Sequence, residues 1–131
     1  MSPRARNLFL LLIAAQALHS VEEYHFRLFD RLLPARIVAD AVGVDRPLGF
    51  AIANIALVGF GFWCWIARVG PGRRSARAFA WFWAVLECAN GTAHIALAVA
   101  ARGYFPGLAT APLLLGIGLW LIVLLVRRRE I

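Results

Sequence analysis

A chain of 131 residues that is 62% hydrophobic and only 16% charged cannot clothe a globular core in an aqueous surface, because soluble domains are nearer half apolar and about a quarter charged. Its length allows one domain, residues 1–131. The net charge of +7 does not imply nucleic acid: all 14 basic residues are arginines, clustered at the ends of apolar runs rather than in a stripe among polar residues.

The first apolar run starts near Asn7 and turns polar at the segment His19 to Phe26. No proline interrupts it before Pro34, so the pattern predicts a helix over about 7–33. Residues 34–46 are too short and too charged to span a bilayer and read as a loop or an interfacial turn of helix. A second apolar run predicts a helix over 47–67, followed by a loop rich in Gly, Pro and Arg. A third covers 78–101, a Gly/Pro turn follows, and a fourth covers 108–126 before Arg127, Arg128 and Arg129. Each run is close to the roughly 20 residues that a bilayer core requires. The predicted fold is therefore all-α, a polytopic bundle of four transmembrane helices.

With a cytoplasmic N-terminus, the inside holds Arg4, Arg6, Arg68, Arg73, Arg74, Arg77, Arg127, Arg128 and Arg129. The outside holds Arg27, Arg31, Arg36, Arg46 and Arg102. Nine against five places both termini inside, in a multi-pass protein of the plasma (inner) membrane. A cleavable leader ending at Ala15-Gln16-Ala17 is the rival reading; it would leave three spans and four ionisable residues at a frayed new terminus. Cys64 and Cys88 lie in apolar segments without metal-type spacing and read as inert buried thiols.

The chemistry concentrates in two helices. On the first, Glu23 lies about 40° around the helix from His19, Glu22 about 60°, and Gln16 joins the same face one turn earlier; His25 is about 120° away. On the third, Glu87, Asn90 and His94 fall within an arc of about 60°. At about 1.5 Å rise per residue, His19 lies roughly 16 Å into its run and Glu22 and Glu23 roughly 21 to 23 Å; Glu87 lies roughly 14 Å in and His94 roughly 24 Å. The two sets thus share one slab, and Asn54 on the antiparallel second helix falls at the same level. A charge at the bilayer centre costs about 2.5 to 3.5 kcal/mol on insertion scales. Three unpaired carboxylates without a mid-membrane Lys or Arg therefore require protons or a cation.

These residues predict an intramembrane site. The metal ligands are drawn from His19, Glu22, Glu23, Glu87 and His94, with Glu22, Glu23 and Glu87 also as catalytic groups. Gln16, His25, Asn54, Asn90 and Tyr104 are candidates for the supporting shell. Two imidazoles with a carboxylate suit zinc or non-haem iron alike, as one or two ions. The expected function is a metal-dependent membrane enzyme acting on a lipophilic small molecule. One alternative is a metal-independent isomerase or cyclase using the same carboxylates as acid and base. Others are an ion or proton pathway, a metal-handling protein, or a purely structural polar layer. The expected surroundings are the lipid bilayer and a lipophilic substrate, with oligomerisation open.

His19-Ser20-Val21-Glu22-Glu23, a second histidine at His94, and Tyr104-Phe105-Pro106-Gly107 occur in order over most of the chain. Together they resemble the HXXEE family of small bacterial and archaeal membrane proteins. The resemblance implies that these residues matter; it supplies no reaction.

Overall fold

The computed structural model describes residues 1–127, and six α-helices account for most of them. The first, α1, spans Pro3–His25. Ser2 caps it by accepting from the Ala5 amide, and Pro3 fits the first turn, where no N–H is needed. Helix α2 is the single turn Leu28–Arg31, and α3 is Leu33–Ala41. Helix α4, Arg46–Cys64, continues through a wider turn of helix at Trp65–Val69. Asp45 caps it by accepting from the Leu48 amide at 3.0 Å. Helices α5 and α6 are Ala76–Ala101 and Ala111–Arg127.

Two helix boundaries differ from the sequence expectation. The first helix does not reach Leu33. Arg27 takes a left-handed conformation, φ 57°, which ends α1 and turns α2 back over the bundle. The turn brings Leu28 and Phe29 into a buried cluster with Ala35, Ala39, Phe50, Ala98 and Phe105. Burial of those side chains outweighs the local preference to continue the helix. The 34–46 segment is mostly helix, since α3 carries Ala35 and Ala39 inward and Asp40 outward. Exposed Asp40 pairs with Arg46 through two contacts of 2.9 and 3.0 Å, and that hydrogen bonding holds its carboxyl below the usual carboxylate range. At the other end of the chain, α6 begins at Ala111 rather than 108, because residues 107–110 wrap around a side chain of α1.

A larger cluster fills the opposite half of the bundle. Phe9, Leu12, Ile13, Ala80, Trp83, Leu114 and Leu121 are fully buried in it. Helices α5 and α6 make the most extensive contact; α4 and α5 meet mainly through aromatic side chains, Phe60 and Trp63 against Phe79, Phe82 and Trp83. Gly91 explains the first point: a Cβ there would come within 2.7 Å of the Ala111 carbonyl oxygen. Between the two apolar clusters lies a layer of buried polar side chains: Gln16, His19, Ser20, Glu22, Glu23, Glu87 and His94.

Two helices, Arg46–Val69 and Ala76–Ala101, are long and apolar enough to cross a membrane. Helix α1 has 23 residues but carries Gln16, His19, Glu22 and Glu23, and α6 has 17 described residues. Arg128 and Arg129 of the orientation count lie outside the described residues.

Candidate metal centre and its cavity

The i,i+4 spacing on α1 stacks His19 under Glu23, and α5 brings His94 against both. Glu23 Oε1 lies 2.9 Å from His94 Nε2 and 3.2 Å from His19 Nε2. All three residues are buried, and their ligand atoms lie within 4.8 Å of one another.

Hydrogen-bond direction determines what those nitrogens carry. His94 Nδ1 is 2.7 Å from the Pro106 carbonyl oxygen. A carbonyl can only accept, so Nδ1 bears the proton and donates. His19 Nδ1 is 2.7 Å from Thr110 Oγ1, whose own hydroxyl donates to Glu22 Oε1 at 2.6 Å. Thr110 is therefore the acceptor and His19 Nδ1 the donor. In the neutral imidazoles both Nε2 atoms then carry lone pairs, and both face one carboxylate oxygen. The His19 Nε2 is buried with no hydrogen-bond partner, its 3.2 Å approach to Glu23 being poorly aligned. Three converging lone pairs repel unless a proton or a metal cation lies among them. Tetrahedral zinc with bonds of about 2.0 to 2.1 Å separates its ligands by roughly 3.3 Å, close to the two spacings from Glu23 to the histidines. Histidine ligands held through their other ring nitrogen are the usual supporting arrangement.

Glu22, one residue away, has a different role. Its Oε1 accepts from the Thr110 amide at 2.9 Å and from the Thr110 hydroxyl. Its Oε2 accepts from the Tyr104 hydroxyl at 2.5 Å, the Gly107 amide at 3.1 Å and the Ala109 amide at 3.0 Å. Both oxygens are occupied, so Glu22 stands outside the ligand group and fastens the 104–110 loop to α1. Hydrogen bonds to a charged group contribute about 1.5 to 3 kcal/mol each, so five of them exceed the insertion cost of one carboxylate. Burial, then the adjacent Glu22 carboxylate, pushes the Tyr104 phenol up to about 12, which keeps it a donor. Gly107, at φ 99°, lets the loop pass over the histidines: a Cβ would strike His94 Nδ1 and come within 2.8 Å of His19 Cε1.

Glu87 also stands apart from the three ligands. It is fully buried and receives an amide proton from Asn90 at 3.3 Å. A chain of amides fixes its other partner. The Phe50 carbonyl accepts from the Asn54 nitrogen at 3.1 Å, so the Asn54 oxygen faces Ser20 and accepts from it at 2.7 Å. Ser20 Oγ in turn accepts from the Gln16 nitrogen at 3.0 Å. The Gln16 oxygen then lies 2.7 Å from Glu87 Oε2, and two oxygens at that distance need a proton between them. Turning Gln16 around to serve an ionised Glu87 would set its nitrogen 3.3 Å from the Asn90 nitrogen. It would also direct the Ser20 proton to Gln16, leaving Asn54 Oδ1 without a donor. The network closes when the proton is on Glu87.

A cavity of about 490 Å³ adjoins these groups, with Glu23, Glu87, Gln16, Asn54 and Asn90 in its wall. A second groove of about 460 Å³, across α4, presents Ser20 and Asn54 but no carboxylate or imidazole. The buried carboxylates therefore line the first. Of the remaining expected residues, His25 is exposed and packs on Phe26, away from the group. Gln16, Asn54 and Asn90 support Glu87, and Tyr104 supports Glu22. Cys64 is buried and Cys88 half-buried, both as free thiols.

The profile of a family described as "Protein of unknown function with HXXEE motif" matches residues 10–121. The chain belongs to the HXXEE family. The histidine and second glutamate of the motif are His19 and Glu23 of the candidate centre, and its first glutamate is the loop clamp Glu22. No curated protein and no solved structure matches the chain.

Sequence reasoning did not find Thr110, the Pro106 carbonyl or the amides of Gly107 and Ala109. Only Tyr104-Phe105-Pro106-Gly107 signalled this loop. The backbone donors that hold Glu22 leave no mark in residue type.

Proposed function

We propose that this HXXEE protein is a membrane enzyme that binds one divalent ion, zinc or iron, on His19, Glu23 and His94. It acts on a lipophilic small molecule drawn from the bilayer into the adjoining cavity. The observation carrying this reading is the convergence of two Nε2 atoms, each fixed by a bonded Nδ1–H, on one carboxylate oxygen. When bound, such an ion would supply Lewis acidity or an activated water. Of the protein's own groups, Glu87 would hold a proton beside the cavity, directed at the Gln16 oxygen, with Asn90 donating to its carboxyl.

In this reading α1 and α6 join α4 and α5 as membrane spans, with both termini cytoplasmic and α2 and α3 at the outer interface. The arginine distribution supports that orientation. The tightly packed inner cluster weighs against a continuous ion or proton pathway. A second reading, metal-free acid–base catalysis as in an isomerase or cyclase, is favoured by one observation: the Gln16 network closes with a protonated Glu87. There His19 and His94 would share protons with Glu23 in place of the ion.

Metal analysis separates the two. Protein purified gently without added metal should hold close to one equivalent of zinc or iron. His94→Ala and Glu23→Gln should each lose it, and Glu87→Gln should keep it. Wild-type protein with no metal, and no rise in melting temperature on adding zinc or ferrous iron, would reject the metal reading in favour of the acid–base one.

A further inference from the structure

We infer that the arginine-rich end of the bundle, centred on Arg6 and the turn at residues 70–74, is a binding site for the phosphate of an anionic membrane lipid. This goes beyond the enzymic reading: it rests on the four-crossing arrangement proposed above and not on the ion.

Charge is distributed unequally between the two ends of the molecule. At the α2–α3 end, Asp30 and Asp40 pair with Arg27 and Arg46. Of the nine arginines counted at the other end, the seven among the described residues pair with no carboxylate there. Loose positive charge at the ends of apolar runs is enough to orient a chain in a membrane. Orientation asks nothing of how the guanidinium groups are held, and two of these are held.

Arg6 Nη1 donates to the Gly70 carbonyl oxygen at 3.0 Å. Gly72, at φ 70°, leaves room for that guanidinium: a Cβ there would come within 2.6 Å of Arg6 Nη2. The Arg73 amide closes the same turn by donating to the Arg68 carbonyl at 2.9 Å. The start of α1 and the chain leading into α5 therefore meet at one place. The Arg68 guanidinium carbon lies 5.4 Å from the Trp63 ring centroid. The Nε atoms of Arg6 and Arg68 are both buried with no acceptor among the described residues. A neutral carbonyl or an indole face leaves the charge of a guanidinium uncompensated, so the fold fixes two cations that it does not neutralise. Beside them α5 starts with no acidic residue in its first turn and no side-chain cap, and its dipole adds to the positive potential.

Depth selects the anion. These arginines flank apolar runs, and Trp63 beneath Arg68 is exposed, as tryptophans at the headgroup level of a bilayer are. The anionic group at that level is the lipid phosphate, whose oxygens match the guanidinium fork.

The test uses full-length protein in nanodiscs holding equal amounts of phosphatidylglycerol and phosphatidylcholine with the same acyl chains. Lipid retained on release into detergent is read by native mass spectrometry, and the melting temperature of each variant is measured alongside. Phosphatidylglycerol should be preferred by about fivefold for each arginine engaged, the factor of one basic side chain at an anionic surface. Arg73→Gln combined with Arg74→Gln, at exposed positions, should reduce the preference at unchanged melting temperature. Arg6→Lys keeps the charge but loses the fork, and should reduce it too. Arg31→Gln combined with Arg102→Gln, at the other end, should leave it in place. Equal retention of the two lipids, an undiminished preference in the Arg73 and Arg74 double variant, or displacement of phosphatidylglycerol by inorganic phosphate would overturn the inference. Wild-type preference in Arg6→Lys would overturn it as well, since diffuse charge alone would then account for the binding. If the 70–74 turn proves to lie outside the cell while the preference persists, the crossing arrangement fails and the lipid site stands. A turn inside the cell with no preference would do the reverse.

Discussion

Two adjacent glutamates with opposite duties set the chemistry at the scale of single residues. Glu22 satisfies donors and Glu23 lacks them, because successive helical residues point about 100° apart. Glu22→Gln should therefore behave as a folding variant. Its amide would present hydrogens to a cradle made only of donors, costing about 2 to 3 kcal/mol, read as a fall in melting temperature. Thr110→Val tests the orientation of His19. It removes the acceptor of Nδ1 without touching a ligand, so zinc affinity should drop about 10- to 100-fold while one equivalent still binds at saturation. Gly107→Ala should cost about 2 to 4 kcal/mol, through its positive φ and the contact with both imidazoles. Much of this was legible in the sequence. Helical spacing and depth paired His19 with Glu23 and placed His94 at their level. The same spacing could not separate Glu22 from Glu23 by role, since the difference comes from backbone amides 85 to 88 positions away.

Among the elements, helix existence was readable from apolar runs, and helix ends were decided by tertiary contact. The 7–33 expectation failed at Arg27 because nothing in the residue types announces a left-handed turn there, while the buried Leu28 and Phe29 reward it. The start of α6 moved for a similar reason. The amides of Ala109 and Thr110, just before α6, find their acceptor in Glu22 of α1, which holds those residues in a turn. Close packing of α5 on α6 holds the 104–110 loop over the histidines. Gly91→Ala should accordingly lower the melting temperature, because the Ala111 carbonyl is in the way. Gly116→Ala on α6 meets nothing within 4 Å and should be neutral or slightly stabilising.

For the whole molecule, the inner half is packed mainly with apolar side chains, and the layer of buried carboxylates and imidazoles sits toward the α2–α3 end. Four membrane crossings would put that layer in the outer half of the bilayer. Single-cysteine labelling with an impermeant maleimide checks this in a Cys64→Ala, Cys88→Ala background. Val44→Cys, in the exposed turn before α4, should label on intact cells; Arg74→Cys, in the exposed turn before α5, should label only after permeabilisation. Labelling of both from one side would contradict the topology. The central claim, that His19, Glu23 and His94 gather one cation, is tested most directly by X-ray absorption at the zinc edge of the metal-loaded protein. The account predicts a single zinc with two imidazole ligands at about 2.0 to 2.1 Å and light oxygen donors completing the shell. Sulfur in the first shell, or a spectrum without imidazole scattering, would contradict it.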